Sequence, residues 1–176
     1  MVKDGISNDY EAKSKWISTT FIFIGLIMII YLLFSPQHTD TILGIALTTI
    51  GLLSSYLTAK LNPKVPVSWS KSLLIFFTGI FFLFLGLSTL TSIGLLIGLF
   101  FLFGTGNNLL LAYKTRKEPT RYAWLIHAFI SGFFAFDILL NTATLSSNTI
   151  GLYVAINLIS DGLVVLYSGR TVFIRP

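Results

Sequence analysis

The sequence predicts an all-α integral membrane protein, with six transmembrane helices arranged as three repeated helical hairpins. Three observations lead there. Forty-two consecutive residues, Ser72 to Tyr113, contain no Asp, Glu, Lys, Arg or His. As one helix they would measure roughly 60 Å, about twice the hydrocarbon thickness of a bilayer, so the stretch must fold back on itself. The polar cluster Ser88 to Ser92, near its midpoint, is the expected reversal. Second, the basic residues fall only in alternate gaps between apolar runs. Third, glycines recur at a near-constant interval: Gly25, Gly79 and Gly132 are 54 and 53 residues apart, and Gly51, Gly106 and Gly162 are 55 and 56 apart. A period of that length corresponds to one helical hairpin used three times.

Composition agrees. The chain is 54% hydrophobic and 11% charged, with a mean hydropathy of +0.82, outside the range of soluble domains. The net charge of +5 is not a nucleic-acid footprint, because the charges sit in short segments between apolar runs rather than along one basic face. Cysteine is absent, which removes disulfides, thiolate metal sites and thiol catalysis.

Taken in order, the expected spans are Trp16 to Phe34, Thr41 to Ala59, Trp69 to Leu90, Ser92 to Tyr113, Tyr122 to Leu140 and Thr149 to Ser168, each near the length of a bilayer crossing. The first is longer than the apolar core of a secretory signal, and Ser35-Pro36 offers no small-x-small cleavage site, so it is read as a retained span. Backbone groups left open in lipid are too costly, and no run alternates as a barrel strand would, so all six are read as helices.

Direction follows from Lys and Arg. Lys3, Lys13 and Lys15 precede span one; Lys60, Lys64 and Lys71 lie between spans two and three; Lys114, Arg116, Lys117 and Arg121 between four and five; Arg170 and Arg175 after six. The positive-inside rule makes that side, with both termini, cytoplasmic. Trp16, Trp69, Trp124 and Tyr122 open odd-numbered spans as interfacial anchors. The expected organisation is a disordered N-terminal tail over residues 1–15, a bundle over 16–170 with hairpins at about 16–60, 69–114 and 121–170, and a C-terminal tail over 171–176.

The glycines are read as packing sites, since small residues let backbones approach where lipid removes the hydrophobic drive for association. Gly25, Gly51, Gly79, Gly94, Gly98, Gly106, Gly132 and Gly162 carry that expectation. Gly94 and Gly98 form a GxxxG step, and with Gly104 and Gly106 they make span four the expected close-contact helix.

These features together resemble the HdeD family of bacterial acid-resistance membrane proteins. Each odd span has a Gly followed by an apolar stretch and a short outer turn. Each even span opens near Ile42-Leu43-Gly44, Ile93-Gly94 or Ile150-Gly151 and closes on Lys60, Lys114 or Arg170. The nearest local match is the run Ile150 to Arg170, and Ser35-Pro36 also fits; the resemblance covers roughly residues 16–170. It implies a bacterial inner-membrane protein linked to survival at low pH. It brings no catalytic residues.

The remaining signal is polar. His127 and Asp161 both lie on the order of 10 Å from the basic end of their spans and are expected to meet. Asn107 and Asn108, Thr78, Ser54 and Ser55 occupy similar depths, which gives a polar layer in that half of the bundle. An isolated charge at this depth costs several kcal/mol, so Asp161 must be neutral, partnered or hydrated, and His127 is the expected partner. The pair reads either as an interhelical clamp or as a proton-sensitive element. Asp137, with Asn141 and Asn148, is expected to cap or hydrate the outer turn, and Asn157 to make an interhelical hydrogen bond. His38 and Asp40 supply too few ligands for a metal. No phosphate loop, nucleophile elbow or carboxylate pair at glycosidase spacing occurs, and no cofactor is expected. Three functions stay open: a non-enzymatic stress-resistance protein, a small proton-linked transporter or channel acting as an oligomer, and a scaffold for another membrane protein. Expected partners are the lipid bilayer and a second copy or another membrane protein, not nucleic acid.

Overall fold

The computed structural model describes residues 2–35, 38–61, 66–85 and 90–172. They form six helices and, among the described residues, no strand: α1 Val2–Phe34, α2 Thr39–Leu61, α3 Pro66–Leu85, α4 Leu90–Lys114, α5 Arg121–Asn141 and α6 Ser147–Val172. Four segments within them are long and apolar enough to cross a membrane: Lys15–Phe34, Gly94–Lys114, Arg121–Asn141 and Ser147–Ser168. Within α2 and α3, the apolar segments Thr41–Tyr56 and Ser72–Phe84 are shorter.

α1 begins at Val2, so the segment expected as a disordered tail is helical. Of the expected reversal at Ser88 to Ser92, Leu90 to Ser92 belong to α4 and the first two residues lie outside the described residues. Residues 173–176 of the expected C-terminal tail also lie outside them, as do Pro36 and Lys64.

One apolar core draws on every helix. Met28, Leu47, Ile75, Phe101, Ile138 and Val154 are buried together, one from each helix in order. Outside it, large apolar side chains face outward along the whole bundle, among them Phe23, Ile30, Phe84, Phe103, Phe129 and Phe136. Among the described residues, a surface this apolar over helices of this length is that of a helical membrane protein.

The closest helix pairs are not the hairpins expected at 16–60, 69–114 and 121–170. They are α2 with α3, α4 with α5, and α1 with α6, which joins the two ends of the chain. Glycine explains this. A Cβ on Gly51 would lie 2.5 Å from Phe76 Cα, and one on Gly79 would strike the backbone nitrogen of Thr48, so α2 and α3 touch backbone to backbone. On the opposite side, a Cβ on Gly25 would lie 2.8 Å from Ala155 O and one on Gly162 2.7 Å from Ser18 O. Gly98 and Gly132 face Leu139 and Thr105 across α4 and α5. In each pair residue numbers rise on one helix as they fall on the other, so all three are antiparallel.

Not every expected packing glycine fits this scheme. Gly94 meets only the Thr142 and Ile138 side chains, at ordinary van der Waals range, and Gly104 and Gly106 have nothing within 4 Å of where a Cβ would stand. The close approach at that level passes through Thr105, whose methyl carbon lies 3.4 Å from a Cβ on Gly132. Trp124 differs too: expected at the interface, it is buried against a small cluster with Ala112 and Val164. Trp16 and Tyr122 are exposed.

Candidate functional site

The α5–α6 seam is built unlike the others. Its facing positions carry polar side chains instead of glycine, and they meet in pairs. Tyr153, Asn157 and Asp161 recur every four residues and so share one stripe of α6. His127 and Ser131 have the same spacing on α5. Because the helices run antiparallel, His127 falls opposite Asp161 and Ser131 opposite Asn157.

His127 is the centre of the first rung. It is buried, with Nε2 2.7 Å from Asp161 Oδ1 and Nδ1 2.8 Å from Ser160 Oγ. The approach to Asp161 is short but falls outside hydrogen-bond alignment, and it is an ion pair only when the imidazole is protonated. The Ser160 contact fixes the ring, with the hydroxyl as donor or acceptor according to the imidazole tautomer. One rung further, Ser131 Oγ donates to Asn157 Oδ1 at 2.7 Å, with both residues buried. At the far end, Tyr153 OH donates to Asp137 Oδ2 at 2.6 Å and Asn141 Nδ2 donates to Asp137 Oδ1 at 2.8 Å. Between these levels, Phe134 stacks on the Tyr153 ring, with centroids 4.4 Å apart and planes 8° from parallel.

Two spaces flank the first rung. A cavity of about 30 Å³ in the middle of the bundle is lined by Asn157, Asp161, Ser54, Ile50, Phe101 and others. A space of that size accommodates on the order of two water molecules, and Ser54, Asn157 and Asp161, in a lining otherwise apolar, are the polar groups such waters would meet. On the outer side, an open apolar groove of about 560 Å³ runs between α5 and α6, with Ser160 in its wall among Ile126, Ile130, Ile159 and Leu163. His127 thus stands between the interior and the surface.

The structure brings together some of the residues expected in the polar layer and not others. His127 and Asp161 meet, and Ser54 shares the cavity with Asp161. Asn108 is buried on α4 with Nδ2 lacking a hydrogen-bond partner among the described residues, whereas Asn107 is only partly buried. Thr78 turns its hydroxyl back to Leu74 O at 2.7 Å, so it stays within its own helix. Asn157 has its interhelical hydrogen bond, to Ser131. Asp137 takes Tyr153 and Asn141, while Asn148 accepts from Thr39 at the start of α2. Ser131, Tyr153 and Ser160 were not singled out from sequence. The signal was there: pairing α5 and α6 antiparallel through His127 and Asp161 sets Ser131 against Asn157 one turn on.

At the end of the bundle that carries the α4–α5 connection, Arg116 lies 5.2 Å from the centroid of the Tyr113 ring and Arg121 4.5 Å from that of Tyr122. Stacked cations of this kind are at home where apolar helices meet water. Among the described residues no group of three or more His, Cys, Asp or Glu is placed to hold a metal ion.

The class defined by these features is a helical membrane protein with a buried polar seam. Comparison with family models, curated proteins and solved structures gives no match.

Proposed function

We propose that this chain is a non-enzymatic membrane protein that crosses the bilayer six times with both termini in the cytoplasm, and that its His127–Asp161 pair is a proton-sensitive clamp between α5 and α6. The observation that carries this reading is the 2.7 Å approach of a buried imidazole to a carboxylate. Such a pair holds one proton in its balanced form, either shared as His⁺ and Asp⁻ or placed on the carboxyl. A second proton leaves a cation without its partner, and loss of the first leaves a bare carboxylate; both are costly in a low-dielectric seam. Acid therefore loosens the clamp.

An inner-membrane protein of the HdeD type, contributing to acid or stress resistance, is the physiological setting we propose, on the sequence resemblance over residues 16–170. Ser160, His127 and Asp161 are the residue types of a hydrolytic triad, but the geometry argues against that use. Ser160 lies inside α6, where backbone N–H groups are bonded along the helix and none is free to stabilise an oxyanion.

The experiment is acid survival of a deletion strain carrying Asp161→Asn. Failure to restore survival at normal protein level supports the clamp; full restoration contradicts it.

A further inference from the structure

We propose that the α5–α6 seam is a proton pathway through a single copy of the bundle, with Asp137 as its acid at one end and the Asp161–His127 pair at the other. This rests on the clamp reading of that pair and extends it to the whole seam. Three rungs of polar contacts lie along one interface: Asp137 with Tyr153, Ser131 with Asn157, and His127 with Asp161 and Ser160. The α1–α6, α2–α3 and α4–α5 interfaces approach through glycine instead. A bundle needing only adhesion already has that in its glycines, and polar pairs at three depths add desolvation cost.

The spacing suits transfer. Tyr153 to Asp161 spans about 12 Å along α6, and the central cavity reaches both Asn157 and Asp161. Amides do not relay protons themselves, but they orient water, and the cavity is of water size. The break in the path lies at the Phe134–Tyr153 stack: neither ring lines the cavity, whose seam-side polar groups are Asn157 and Asp161, so in this proposal the stacked rings are the gate. A proton bound by Asp137 passes the Tyr153 hydroxyl when the rings part and reaches cavity water. The Asp161–His127 pair accepts it and releases the one it held toward the basic end. One proton enters, one leaves, and no group changes oxidation state. The titratable groups facing the path are Asp137 and His127 on α5 and Tyr153 and Asp161 on α6; Lys114, Arg116, Lys117 and Arg121 lie beyond its basic end.

The test is proton flux into liposomes containing the full-length chain and a trapped pH dye, driven by a potassium diffusion potential. Wild type should exceed protein-free vesicles, and Phe134→Ala should exceed wild type. Asp137→Asn and Tyr153→Phe should each slow flux by at least about a hundredfold, the lower end of the contribution typical of a positioned proton-transfer group. Tyr153→Phe keeps the stacked ring, so its loss of flux with unchanged melting isolates transfer from packing. Wild type and Phe134→Ala both no faster than empty vesicles would overturn the pathway, as would wild-type flux in Asp137→Asn and Tyr153→Phe. Absent flux alongside an acid-sensitive melt that needs Asp161 would sink the pathway and leave the clamp intact.

Discussion

His127 and Asp161 come within 2.7 Å of each other from helices that do not rely on glycine to meet. The pair is buried on the imidazole side and nearly so on the carboxylate side, with side-chain exposures of 1% and 12%. Removing one partner strands the other. Asp161→Asn should therefore destabilise the bundle by about 3 kcal/mol, while replacing both residues with leucine should recover most of that loss. A double-mutant cycle on detergent-solubilised protein, read by thermal melting, checks this; additive single effects would mean the two groups do not interact.

The glycine contacts predict a sharp contrast. Gly79→Ala places a methyl group against the Thr48 backbone, which has no side-chain freedom with which to yield, and should cost roughly 1–3 kcal/mol. Gly106→Ala points into open space inside α4 and should be neutral or stabilising, by up to about 1 kcal/mol. Thermal melts of the two variants, side by side, decide the matter; equal effects would remove the backbone contact as the basis of α2–α3 association.

Much of this was legible in the chain and some was not. Helix number and approximate limits follow from apolar run length, and the meeting of His127 with Asp161 follows from matched depth. Helix pairing does not, because a glycine marks where a close neighbour is tolerated without saying which neighbour it is. Gly25 lies against α6 rather than α2 for that reason. Periodic position was equally misleading at Gly106, where the neighbouring Thr105 makes the contact. Trp124 shows the same limit: an aromatic residue near a span end fits the interface or the core, and only the small partners Ala112 and Val164 decide for the core.

The Ser131–Asn157 hydrogen bond should behave as a unit. Ser131→Ala leaves a buried amide oxygen without its donor and should cost about 1–3 kcal/mol. Adding Asn157→Leu removes the stranded group, so the double variant should be more stable than Ser131→Ala alone. Urea or thermal unfolding of the three variants measures this, and a double variant less stable than either single one would contradict it.

Orientation has its own test, made simple by a chain without cysteine. Lys117 and Ala143 are exposed in connections at opposite ends of α5. In intact cells a membrane-impermeant thiol reagent should label Ala143→Cys and leave Lys117→Cys unlabelled until the membrane is opened. Labelling of both, or of Lys117→Cys alone, would overturn the proposed topology.

The most direct test of the clamp is the melting temperature as a function of pH, for wild type and for the His127→Gln, Asp161→Asn double variant. All other titrating groups are common to the two proteins, so the difference between the curves belongs to the pair. A second proton unbalances the pair, so its stabilising contribution is lost as pH falls. Wild type should lead near about pH 7 and converge on the double variant as pH falls. Curves that stay parallel from neutral to acid pH would contradict the claim that this pair senses protons.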